Sequence, residues 1–142
     1  MKASKQAIEL IKDFEGLRTS VYICLAGYRT IGYGHVLASN DNIDEIPLME
    51  AEELLSIDIN KAENSVLRNI NIELTQGQFD ALVSFTFNLG SGALQRSTLR
   101  QKINRQEHDA VPKEFMRWVH VSGMVVPGLV RRRQAELELY IL

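Results

Sequence analysis

The chain has 142 residues, 45% of them hydrophobic and 24% charged, with a net charge of −2. This length and balance suit one globular domain, residues 1–142, that builds its core without disulfides or metal. The near-neutral charge excludes a broad basic surface for nucleic acid or anionic lipid. One cysteine excludes an internal disulfide, and three scattered histidines leave no zinc-binding spacing, so no cofactor or metal is expected.

The first fourteen residues mix Lys2, Lys5, Glu9, Lys12 and Asp13 with apolar side chains. No run is apolar enough for a signal peptide or a membrane span, so neither a leader nor a membrane anchor is expected. Ser4 is placed to cap a helix running to Phe14, with Ile8, Ile11 and Phe14 near one face, and Gly16 stops it. Val21-Tyr22 and Thr30-Ile31-Gly32-Tyr33 read as two short strands around a turn at Ala26-Gly27. Residues 36–47 read as a polar loop.

From Leu48 the pattern turns helical. Leu48, Ala51, Leu55, Ile59, Ala62 and Val66 follow steps of three and four, with Glu50, Glu52 and Glu53 expected in the first turn. Thr75 and Gln78 have the spacing of a capping box, and the segment Phe79 to Leu89 behind them is apolar nearly all round. Such a helix is buried on every side. Gly90 ends it, and Ser97 caps a further helix to about Arg105. Pro112 suits a first helical turn ahead of Phe115 and Trp118. Gly123 to Gly128 reads as a turn region, and Leu129 to Leu142 as a last helix carrying Arg131, Arg132 and Arg133. The expected fold class is α+β, mostly α. A small N-terminal lobe with one β-hairpin is joined by a long helix to a larger helical lobe.

The densest pattern lies early. Glu15-Gly16 is followed by Tyr22, Cys24, Gly27 and the run Thr30-Ile31-Gly32-Tyr33-Gly34-His35, with eight residues between Glu15 and Cys24 and five between Cys24 and Thr30. It resembles the phage-type lysozyme family, whose hallmark is a Glu, eight residues, an Asp or sometimes Cys, five residues and a Thr. The resemblance continues in order through Gln78 to Gly90, Ser97-Thr98-Leu99, Phe115 with Trp118, and Pro127-Gly128-Leu129 with Arg132, Arg133 and Glu136.

The resemblance implies an endolysin that hydrolyses the β-1,4 bond between N-acetylmuramic acid and N-acetylglucosamine in bacterial peptidoglycan. It implies a monomer held in the host cytoplasm until lysis and acting on the periplasmic wall. A separate membrane-pore protein is one route of release. Wall polymers are often anionic, so the net negative charge is a mild mismatch. Any attraction must be local, around the three arginines.

Glycoside cleavage needs an acid for the leaving oxygen and a group that stabilises the sugar cation or directs water on the other face. Glu15 is the candidate acid; taken alone it would pass for a solvated helix-end glutamate. Thr30 would hold the water or line the sugar face, although a strand threonine needs no such role. Cys24 occupies the slot where many members carry Asp. A neutral thiol serves poorly there, whereas a thiolate would serve.

Tyr33, Phe87, Asn88 and Arg132 are the candidate substrate-binding residues. Packing is the rival role for Tyr22, Tyr33 and Phe87. His35 is expected to be structural, bonded to neighbouring backbone. Arg132 is the arginine expected beside Glu15, where it would favour the ionised carboxylate. At least one of its two neighbours is expected to be solvated. Two alternatives follow from Cys24: a lytic transglycosylase, which needs one glutamate and leaves a 1,6-anhydro end, and an inactive peptidoglycan-binding module.

Overall fold

The computed structural model describes residues 1–142. In chain order the elements are α1 (Lys5–Glu15), β1 (Arg18–Ile23), β2 (Arg29–Gly32), β3 (His35–Val36), α2 (Leu48–Asn69), α3 (Gln76–Leu89), α4 (Ser91–Arg96) and α5 (Thr98–Asn104). A 3-10 turn (His108–Ala110), α6 (Val111–Phe115), β4 (His120–Val121), β5 (Met124–Val125) and α7 (Pro127–Tyr140) complete it. The fold is mostly helical with small sheets, as expected. No helix is long and apolar enough to cross a membrane.

Helix α1 starts where Ser4 caps it, the hydroxyl accepting from Ala7 N. Ser4 is itself anchored, its backbone N donating to Asp80 on α3 at 3.0 Å. This ties α1 to the helical body. Its last residue, Glu15, therefore enters the sheet region from a fixed direction.

Strands β1, β2 and β3 form an antiparallel meander, with Tyr22 opposite Thr30 and Ile31 opposite His35. The third strand was not expected; with two residues it is too short to show alternation. The polar stretch after it is also less free than its composition suggests. Val21 N donates to Asp44 O at 3.1 Å and Ile46 N to Thr19 O at 2.9 Å, so the returning chain satisfies the outer edge of β1.

Helix α2 buries Ala51, Leu55, Ile59, Ala62 and Val66, the stripe read from the sequence, while Leu48 at its start is exposed. Only Glu50 of the three glutamates falls in the first turn. The helix links the two lobes. Ala51 packs against Gly32, His35 bonds Asp58, and Ser65 bonds Ser91. The His35 contact, Nδ1 to Asp58 Oδ2 at 2.7 Å, replaces the backbone partner expected for this histidine.

Helix α3 runs through the middle, behind the Thr75–Gln78 capping box, with eight consecutive buried residues from Phe79 to Thr86. It packs on α7, α2, α4 and α1. One hydrophobic cluster of 23 residues extends from Ile31 and Ile46 beside the sheet to Phe115 and Leu139 in the helical body. Two further elements escaped the sequence reading. Helix α4 has six residues, too few for a periodic stripe. The segment read as a turn from Gly123 holds β5, which pairs with β4 as a second hairpin, and α7 already begins at Pro127.

Candidate active site

Glu15 ends α1 and is gripped from two sides. Its Oε2 accepts a hydrogen bond from Arg132 Nη1 at 2.6 Å, a charge-assisted contact between a side chain 18% exposed and one 4% exposed. The Arg132 guanidinium also lies 5.6 Å from the Phe14 ring centre. On the other side, Oε1 is packed against Gly34 in the turn between β2 and β3. A Cβ there would overlap that oxygen, and Gly34 has φ +76°. A side chain at this point would strain the backbone and displace the carboxyl.

Two hollows flank this carboxyl. One, of about 460 Å³, is lined by Glu15, Leu25, Asn88, Leu129, Arg131 and Arg132 among others. The other, of about 380 Å³, is lined by Gly34, His35, Asp58, Lys61, Thr86 and Phe87 among others. Glu15 lines the first and touches Gly34 of the second, so it stands between them.

The strand register places three more groups nearby. Tyr22 is paired with Thr30, and Cys24 follows Tyr22 by two, so all three share a face of the ladder. Cys24 is half-buried in the β1–β2 turn, its N donating to Tyr28 O at 3.0 Å. Backbone N–H groups, that of Tyr28 first, hold its thiol below the usual value, opposed by burial; the Thr30 hydroxyl adds to them. Thr30 Oγ1 donates to Tyr28 O at 2.9 Å. Its single proton can serve that carbonyl or a thiolate, not both. Thr30 is 1% exposed.

The Tyr22 phenol is pushed up by burial and by the charges of Glu15 and Cys24, with Arg18 opposing. Tyr22 was read from the sequence as part of the hairpin, with packing as the rival to sugar contact; it faces both groups. The two-residue step to Cys24 was the available signal.

The profile of the phage lysozyme family matches residues 12–136. The chain belongs to that family, a family of glycoside hydrolases. The endolysin of Bacillus phage B103 is 41% identical over 143 residues, covering 99% of this chain and 54% of the relative. The chain thus spans about half the length of that relative. The endolysin of Acyrthosiphon pisum secondary endosymbiont phage 1 is 40% identical over 145 residues and is covered over 98% of its length. Among solved structures, the muramidase domain of SpmX from Asticaccaulis excentricus superposes with a TM-score of 0.88 at 34% identity, covering 99% of this chain and 98% of that one.

In this chain the remaining expected residues separate into two groups. Phe87 lines the hollow beside Gly34, and Asn88 lines the one beside Glu15. Arg132 is the arginine that reaches Glu15, whereas Arg131 is exposed and Arg133 is buried. Tyr33 is not brought to either hollow. It is 9% exposed, its hydroxyl 3.3 Å from Glu52 Oε1 and its ring 5.6 Å from Lys12 Nζ, so it packs between α1 and α2. The packing role of Tyr33 is therefore the one the geometry supports.

The environment of Cys24 yields an expected result. A lowered thiol has more thiolate at any pH below its usual value, so alkylation by iodoacetamide should rise at a lower pH than for free cysteine. Thr30→Val removes one stabilising donor and should move that rise back up. A wild-type profile matching free cysteine would show that the turn does not activate the thiol.

Proposed function

We propose that this chain is a lysozyme that hydrolyses the β-1,4 bond between N-acetylmuramic acid and N-acetylglucosamine in bacterial peptidoglycan, with Glu15 as general acid. The supporting observation is the placement of the Glu15 carboxyl between two hollows, gripped by Arg132 and Gly34. A glycan strand lying along both hollows would present one glycosidic oxygen to Glu15. The proton passes from Glu15 to that oxygen as the C1–O bond breaks. Water then adds to C1 and passes its proton to the Cys24 thiolate or to solvent.

Cys24, as a thiolate with Thr30 beside it, is the group proposed to stabilise the sugar cation or direct that water. Phe87 and Asn88 are proposed to contact the sugars. The relatives' designation as endolysins supports action on the bacterial wall at lysis; the proposal further takes the enzyme as a monomer held in the host cytoplasm and released through a separate membrane-pore protein.

Position 24 carries no carboxylate, which keeps one second reading in view: a lytic transglycosylase, in which the sugar's own hydroxyl replaces water. Digestion of purified peptidoglycan in ¹⁸O-water, followed by mass spectrometry, separates the two. Hydrolysis should give reducing muramic acid ends carrying the label. Unlabelled 1,6-anhydro ends would establish the transglycosylase, and an absence of new ends would leave a binding module.

A further inference from the structure

Behind the Glu15–Arg132 pair lies a second glutamate that the proposed chemistry does not use. Glu136 is wholly buried, as is Arg133 beside it. Glu136 Oε1 accepts from Arg133 Nε at 2.6 Å. Its Oε2 accepts from Ser84 Oγ at 2.6 Å and from Arg133 Nη2 at 3.1 Å. Arg132 Nε lies 3.5 Å from the same Oε2, and that nitrogen has no hydrogen-bond partner of its own.

The outer ends of the two arginines reach the cleft. Arg132 Nη1 donates to Glu15, and Arg133 Nη2 donates to Asn88 Oδ1 at 2.7 Å. Both acceptors line the same hollow. One buried carboxylate thus sits behind both contacts.

Stability alone is a poor reason for such a cluster. Well-packed apolar side chains of similar volume usually serve a core at least as well as buried ions. The arrangement of Arg132 suggests a further use. It is held tightly by Glu15 and loosely by Glu136, a guanidinium shared between two carboxylates. When Glu15 takes up a proton, Arg132 loses one counter-charge but keeps the other.

We infer that Glu136 is a positioning residue for the catalytic acid: it retains Arg132 when Glu15 is protonated, and it aims Arg133 at Asn88. This inference rests on Glu15 being the acid. Burial pushes the Glu136 carboxyl up, and the charged groups that oppose this are Arg133 and Arg132 of its own helix. α3 contributes the uncharged Ser84, α1 brings Glu15 to the far side of Arg132, and the chain after α6 offers Arg133 only the Trp118 carbonyl.

The test is the pH dependence of kcat and KM for purified wild type, Glu136→Gln and Glu136→Asp. Activity needs Glu15 protonated, so it falls as pH rises through the alkaline limb. In Glu136→Gln, Arg132 has Glu15 as its sole carboxylate and favours the ionised form. The alkaline limb should therefore move down by about one pH unit or more. Glu136→Asp keeps the charge, so its limb should stay within a few tenths of a unit of wild type even if the maximal rate falls. A folded Glu136→Gln with its limb in place would overturn the inference.

If that variant does not fold, Arg133→Met combined with Glu136→Met removes the buried pair together. A cation and an anion then leave together, so its limb should move little, while KM should rise because Asn88 has lost its anchor. An unchanged KM in this folded double variant would equally overturn the inference. Failure of the underlying reading looks different: Glu15→Gln would then retain activity.

Discussion

Glu15→Gln is expected to lower turnover on peptidoglycan by about 10²–10⁴-fold, the usual worth of a positioned proton donor. The substitution keeps the shape of the side chain and an oxygen that can accept from Arg132, but removes the acidic proton. Arg132 does not become an orphaned buried charge, because Glu136 remains 3.5 Å from its Nε. Folding should therefore survive, with a melting temperature within a few degrees of wild type. Release of reducing ends, measured beside circular-dichroism melting of both proteins, checks the two halves of this expectation. Near-normal turnover in a folded Glu15→Gln protein would remove Glu15 from the mechanism. A large fall in melting temperature would instead show that its charge chiefly supports Arg132.

Gly34→Ala is expected to be the second severe change, and for a steric reason. Position 34 has φ +76°, where an L side chain costs about 1–2 kcal/mol. The added Cβ would also overlap Glu15 Oε1. Either the carboxyl leaves Arg132 or the β2–β3 turn retreats from α1. A displacement of about 1 Å at a reacting group can cost 10²-fold in rate, so a loss of that order is expected.

Gly123→Ala supplies the comparison. It has φ +79° and open space around the added atom, in the turn of the β4–β5 hairpin. It should show the backbone penalty in its melting temperature but nearly full activity. Equal activities in the two variants would mean that the grip of Gly34 on Glu15 is dispensable.

These expectations draw unequally on the sequence. The stripe Ala51, Leu55, Ile59, Ala62 and Val66 was legible because a helix repeats its buried face every three to four residues. The Thr75–Gln78 capping box was legible because both partners lie within one turn. The spacing of Glu15, Cys24 and Thr30 was legible as a pattern, and strand alternation explains why Tyr22 joins the last two. Strand β3, helix α4 and the β4–β5 hairpin were not legible, because two to six residues are too few to display a period. For Tyr33 the sequence left sugar contact and packing open, and its position beside Lys12 of α1 and Glu52 of α2 supports the packing role.

The sequence by itself determined the mostly helical fold class, the family and the local sites at which chain direction changes, since each rests on contacts between near neighbours. Only the tertiary structure decided that Arg132 and Arg133 share the buried Glu136, whereas Arg132 beside Glu15, 117 positions away, was already implied by the resemblance. By composition alone three consecutive arginines are equivalent. The helical turn of α7 against α3 points one to the carboxyl of α1, one into the core and one to solvent, and that choice depends on packing between distant segments.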